Sequence, residues 1–147
     1  MKLFTPTHVT MHHSLTKDSK TVSWQPVRRY HVMELGMIEV GYQYGIELVN
    51  TLYEILVGRF EGQQGAHCPQ QGMNRISIGI LMMGNFDDDY PDMAQWNVGV
   101  GLVVNIITRY NIPVENVKGH RDYAPYKSCP GKNFDMNKFR TEVSQNL

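Results

Sequence analysis

Cysteine, net charge and long apolar runs are all scarce in this chain. Its 147 residues include only Cys68 and Cys129, so no disulfide framework can hold the fold together. In a reducing compartment two such residues read as free thiols or metal ligands rather than as a bridge. Lys and Arg balance Asp and Glu to a formal net charge of +0. No global positive field is available to draw nucleic acid or an anionic membrane surface. No apolar stretch approaches the roughly 20 residues that cross a bilayer as a helix. The opening Met1-Lys2-Leu3-Phe4-Thr5-Pro6-Thr7-His8 lacks the apolar core of a secretory signal. Repeats, low-complexity tracts and Pro/Ser linkers are missing as well. These absences predict one domain spanning residues 1–147, made in a cytoplasm, with no nucleic-acid partner, no membrane insertion and a monomeric state.

What is present is an ordinary globular composition, 41% hydrophobic, in a chain long enough to bury a core without staples. Thr7 to Met11 alternates polar and apolar residues and predicts a strand. A helix fits Trp24 to Leu35, with Ser23 as N-cap, Pro26 in the first turn and Gly36 as the stop. Val40–Leu48 and Leu52–Val57 read as strands around a turn near Asn50, and Arg59–Arg75 as a long glycine-bearing loop. A loop of that length is usually functional. Ser77–Met83 is a continuous apolar run, the mark of a central strand buried on both faces. Asp92 with Gln95 resembles a capping box opening a helix to Tyr110, with Met93, Trp96, Val100, Val103, Val104 and Ile107 on one face. Asp135 can cap a last helix. The sum is a layered α/β domain, a central mixed sheet flanked by about three helices.

Three regions of the chain can carry chemistry: His12-His13-Ser14 at the end of the first strand, Gly119-His120-Arg121-Asp122, and Ser128-Cys129-Pro130-Gly131. Two imidazoles and a thiolate form a zinc set with a fourth position left for water, and strand ends with their following loops are where a sheet presents ligands. His12 and His13 point to opposite faces of a strand, so one of them serves, and alternation alone does not choose between them. The competing reading makes the histidines strand caps and Cys129 a small buried residue. His31 reads as a helix-face packing residue. Asp87-Asp88-Asp89 reads as a solvated turn, because the ligand spacing of a calcium loop is absent.

Around these regions a series of short blocks runs in order. They are Met11-His12-His13-Ser14, Arg29-Tyr30-His31, Val40-Gly41-Tyr42-Gln43-Tyr44, Val57-Gly58-Arg59, Gly65-Ala66-His67, Asn74 with Ser77-Ile78-Gly79-Ile80, Gly84-Asn85-Phe86, Gly119-His120-Arg121-Asp122 and Cys129-Pro130-Gly131. From Thr10 to Phe134 the chain resembles the N-acetylmuramoyl-L-alanine amidases, the zinc amidases that include phage lysozyme-type endolysins and animal peptidoglycan recognition proteins.

The resemblance implies one Zn²⁺ held by His12, His120 and Cys129, with His13 kept as the alternative to His12. It implies Tyr42 and Lys127 as catalytic residues, and hydrolysis of the amide between N-acetylmuramic acid and L-alanine in peptidoglycan. His67 either lines the substrate groove or sits on an exposed loop. Asn74 either contacts glycan or peptide or holds its loop by bonding backbone. Asp122 is a candidate partner for a ligand histidine. Two features depart from the family: Gln43 stands where a histidine is commoner, and the stretch from His120 to Cys129 is one residue longer, the extra residue falling within Tyr123–Tyr126. The role expected is a phage-type endolysin without a separate wall-binding domain. A cytoplasmic muropeptide-recycling amidase shares the chemistry. Non-catalytic binding relatives lose a ligand, commonly the cysteine, which this chain keeps.

Overall fold

The computed structural model describes residues 3–16, 24–37 and 39–147. Five strands, β1 (His8–His13), β2 (Tyr44–Val49), β3 (Leu52–Val57), β4 (Ser77–Met82) and β5 (Val117–Gly119), form one mixed sheet in the order β3-β2-β4-β1-β5. β2 and β3 are an antiparallel hairpin, while β1 lies parallel to both β4 and β5, and β4 parallel to β2. β4 is buried at every position, as its unbroken apolar run predicts for a strand covered on both faces.

Alternation sorts the side chains into two layers. Val9 and Met11 of β1, with Ile78, Ile80 and Met82 of β4, pack under helices α2 (Met93–Tyr110) and α3 (Met136–Gln145), against Trp96, Val103, Phe134 and Phe139. Thr10, His12, Ser77, Gly79 and Leu81 therefore face the other way. That second face is covered only in part, by helix α1 (Trp24–Arg29) and the π-helical turn Tyr30–Glu34 that continues it. Trp24 packs with Val40, Leu81 and Met83. Its backbone N–H donates to the buried Glu47 carboxylate at 2.8 Å, a cap supplied from β2; Ser23, the expected cap, lies outside the described residues. Among the described residues no helix is long and apolar enough to cross a membrane.

Several predicted elements shift. β1 runs on to His13, so both histidines belong to the strand itself. β2 starts at Tyr44 instead of Val40, leaving Val40–Gln43 as an irregular segment bonded to β4 and to the long loop. That loop contains a 3-10 turn over Gln70–Arg75. β5 was not legible because it has three residues. Asp92 caps α2 by accepting from the Ala94 N–H at 2.8 Å, but the capping box does not close. Gln95 turns inward and donates to the carbonyls of Met83 (2.8 Å) and Ile46 (3.2 Å). Met93, expected on the buried face of α2, is exposed. Asp135 caps α3 through the Lys138 N–H at 3.0 Å, as its position predicts.

Gly45 of β2 sits directly under the Trp24 indole, and a Cβ there would overlap the ring. Gly45→Ala should destabilise the fold by about 1–3 kcal/mol through overpacking, read as a lower urea midpoint at unchanged slope.

Candidate metal centre

The parallel register of β1 and β5 sets Met11 opposite Gly119, and the chain then turns through a 3-10 segment, His120–Asp122. His120 consequently stands beside His12, with ring centroids 4.7 Å apart. Cys129 is brought back to this point by Arg121. The Arg121 N–H donates to the Cys129 carbonyl at 2.7 Å, and its guanidinium donates to the carbonyls of Gly131 (2.6 Å), Phe134 (2.7 Å) and Ser128 (3.2 Å). Asp87 pins the same loop from the other side, accepting from the Ser128 hydroxyl at 2.8 Å and the Lys132 N–H at 2.9 Å. The donor atoms of His12, His120 and Cys129 then lie within 4.8 Å of one another, the one such group among the described residues.

Each imidazole has one nitrogen already engaged. His12 Nε2 is 2.9 Å from His67 Nδ1, and His120 Nε2 is 3.2 Å from Gln70 Oε1. The two Nδ1 atoms remain for a ligand, and His12 Nδ1 is 3.6 Å from Cys129 Sγ. Burial holds His12 well below the ordinary imidazole value and His120 at about 4, the latter helped by the Lys127 charge. Both rings are thus neutral near pH 7, the state that ligates metal. Burial pushes the Cys129 thiol up to about 11, opposed by a backbone hydrogen bond from His13 and by the charges of Lys127 and Arg121. This is a buried donor set with no cation of its own. Neutral imidazole nitrogens and a soft sulfur that needs positive charge to ionise fit Zn²⁺ in number and kind.

Above the donors opens a cleft of about 900 Å³. One wall carries Pro26, Val27, Tyr30 and Leu35, and the other Tyr126 and Lys127. Tyr42 lies in the cleft between His31 (ring centroids 5.7 Å apart) and His67 (6.2 Å), edge-on to His12 at 5.1 Å. Burial raises its phenol well above the usual range, with the neighbouring Cys129 adding to the effect, so the hydroxyl keeps its proton. Lys127 is exposed at the rim, on a turn closed by its own N–H to the Ala124 carbonyl at 2.9 Å.

Other residues that the sequence singled out fall elsewhere. His13 faces away from the donors: its Nδ1 accepts from the Phe86 N–H at 3.1 Å and its ring stacks on Phe86. His67 borders the cleft but is buried, not an exposed loop residue. Asn74 is outside the cleft lining. Its Oδ1 accepts from the N–H groups of His67 and Cys68, both at 2.7 Å, which is the loop-holding role. Asp122 touches neither ligand histidine and accepts instead from the Gly119 N–H at 2.8 Å. His31 borders the cleft, and its Nδ1 accepts from the Gly41 N–H at 2.9 Å. The acidic run is a turn with Asp88 and Asp89 exposed, as expected, and Asp87 within it pins the neighbouring loop. Arg121 and Gln70 were not assigned these roles from sequence, since their partners lie on carbonyls and rings that no local pattern predicts.

Three imidazoles have folded values far below 6.5, with His67 at about 3 mainly through burial. Between roughly pH 4 and 6.5 the unfolded chain binds more protons than the native one, so native stability falls as pH falls through that window. Metal-stripped protein should show a lower urea midpoint at pH 5 than at pH 7; equal midpoints would mean the folded rings protonate as readily as free ones.

Residues 3–132 match the family model described as N-acetylmuramoyl-L-alanine amidase. The endolysin of Enterobacteria phage T3 is 32% identical over 134 residues, 88% of this chain and 82% of that protein. Peptidoglycan-recognition protein SC2 of Drosophila melanogaster is 30% identical over 135 residues, 91% of this chain and 70% of that one. Among solved structures, N-acetylmuramoyl-L-alanine amidase LysC from Clostridium intestinale URNW superposes with a TM-score of 0.82 at 28% identity, covering 96% of this chain and 87% of that one. With a family match over most of its length and relatives of this identity, the chain belongs to the N-acetylmuramoyl-L-alanine amidase family and is an amide hydrolase.

Proposed function

We propose that this protein cleaves the amide between N-acetylmuramic acid and L-alanine with one Zn²⁺ held by His12, His120 and Cys129, and that it serves as a phage-type endolysin. The observation that carries the reading is the convergence of those three donors, within 4.8 Å, at the floor of an open cleft. The phage relatives support the lytic role, and with it the reading of synthesis in the host cytoplasm and action on the wall after release. Retention of both His12 and Cys129 favours an enzyme over a non-catalytic binder of the same fold.

When bound, zinc lowers the pKa of a water and polarises the scissile carbonyl. The chain's own residues do the rest. The apolar wall of Pro26, Val27, Tyr30 and Leu35 receives substrate and limits water. The Tyr42 hydroxyl, held protonated by burial, is a donor toward the reacting oxygen. Lys127 Nζ at the rim donates to the oxyanion as charge develops there. The leaving amine takes its proton from Tyr42 Oη or Lys127 Nζ, both of which border the cleft.

Purified peptidoglycan incubated with the protein should yield new N-terminal alanine without new reducing sugar, and a chelator should stop it. New reducing ends would identify a glycosidase and overturn the reading, while binding without release would identify a recognition protein. Cys129→Ser should lose both zinc and lysis. Lys127→Ala should cut turnover by about 10²–10³ with zinc still near one per chain; loss of zinc in that variant would assign the lysine to the metal site instead.

A further inference from the structure

His67 is not used by the chemistry above, yet it is among the most constrained side chains of the molecule. Its ring stands in a slot between two glycines. A Cβ on Gly79 would come within 2.6 Å of ring atoms Cγ and Cδ2, and one on Gly65 within 2.6 Å of Cδ2. Asn74 fixes its backbone from below through the N–H of His67 and that of Cys68, and Tyr42 stacks on it at an interplanar angle of 26°.

The hydrogen-bond pattern points to where the protons sit. His67 Nε2 is 3.4 Å from the Ser77 carbonyl oxygen. A carbonyl only accepts, so Nε2 carries the hydrogen. In a neutral ring Nδ1 is then a bare acceptor. The atom facing that acceptor at 2.9 Å is His12 Nε2, which must donate. His12 is left with its lone pair on Nδ1, the atom beside Cys129 Sγ. In the opposite arrangement His67 would offer no donor to the Ser77 carbonyl, and His12 would carry its proton on the nitrogen that faces the thiol.

We propose that His67 is a positioning residue: through the relay Ser77 carbonyl, His67, His12 it locks His12 in the Nε2–H tautomer and fixes the ring so that Nδ1 is presented to the metal. The proposal rests on the zinc reading above. It assigns to a third histidine the role that carboxylates and backbone carbonyls commonly take behind a ligand imidazole, whose loss typically costs 10–100-fold in metal affinity. No carboxylate belongs to the donor group among the described residues, and a histidine behind His12 extends the reach of a backbone carbonyl while adding no charge beside a thiolate.

The test has two arms. In the metal-free wild type, long-range ¹H–¹⁵N spectra should show His12 as the Nε2–H tautomer, and an Nδ1–H form would overturn the proposal whatever the variants do. In competition with a chromophoric chelator, His67→Phe, which keeps a ring in the slot but removes the acceptor, should bind Zn²⁺ about 10–100-fold more weakly. His67→Asn, whose Oδ1 takes the place of Nδ1, should recover most of that loss. Wild-type affinity in His67→Phe, or no recovery in a folded His67→Asn, would overturn the positioning role. A wild type that takes up no zinc would instead overturn the metal reading itself, and with it the proposal.

Discussion

The site depends on the placement of one strand. β1 runs between β4 and β5 with a fixed parallel register to each, and every donor is referenced to it. Shifting the register of β1 by a single residue would exchange its faces, sending Val9 and Met11 out of the helix-covered core and turning His12 into it. Burial of Val9 and Met11, both fully inaccessible, is therefore what aims His12 at the cleft. The same pairing carries Gly119 to the level of Met11, so the next residue, His120, begins its turn beside His12. Cys129 has no strand of its own and is tied back by the four bonds from Arg121 to carbonyls around the loop.

Electrostatics gives this arrangement its chemical character. His12, His67, His120 and Cys129 gather in a region where the Lys127 charge acts on His12, His120 and Cys129, and that of Arg121 on Cys129 as well. No carboxylate is part of the donor group among the described residues. Protonating any of the rings is unfavourable by burial and by the neighbours' charge alike, and so is ionising the thiol by burial alone. In the neutral cluster a part-buried sulfur and two imidazole Nδ1 atoms share one small region. A divalent cation resolves all three at once, because it accepts both lone pairs and supplies the charge that a thiolate needs. The second layer keeps the same neutrality: an amide, Gln70, backs His120, and an imidazole, His67, backs His12.

Much of this was legible in the sequence wherever period or residue chemistry speaks directly. The apolar run of β4, the Asp92 and Asp135 caps, and the layered α/β class follow from local pattern, and the family resemblance supplied the order of the blocks. What stayed illegible depends on tertiary contacts. Gln95 reads as a cap because Asp92 precedes it by three residues, but two carbonyls on the sheet compete for its amide more effectively than the helix end does. β5 is too short to show a period, and its identity comes from pairing with β1. Asp122 stands close to His120 in sequence, yet the 3-10 turn spends its carboxylate on Gly119. The residues that do contact the two donor histidines, His67 and Gln70, come from a glycine-bearing loop fifty or more residues away from either histidine in sequence, where spacing carries no information.

The two departures from the family pattern show how the fold absorbs change away from the donors. Gln43, where a histidine is commoner, is fully buried and points away from the cleft lining. Its Oε1 accepts from the Gly79 N–H at 2.8 Å and its Nε2 donates to the Gln63 carbonyl at 2.9 Å. An amide satisfies one donor and one acceptor without a tautomer to choose, so it joins β4 to the long loop and leaves the chemistry to its neighbour Tyr42. The stretch between His120 and Cys129, expected from the resemblance to be one residue longer than usual, contains a turn from Ala124 to Lys127. That turn is fastened by the Tyr126 hydroxyl, which accepts from Gln70 Nε2 at 2.9 Å. Since Gln70 Oε1 also faces His120, the turn is braced against the residue that contacts this donor histidine. The stretch thus has a fixed point beside the donors, and Lys127, one residue after Tyr126, stands at the rim of the cleft.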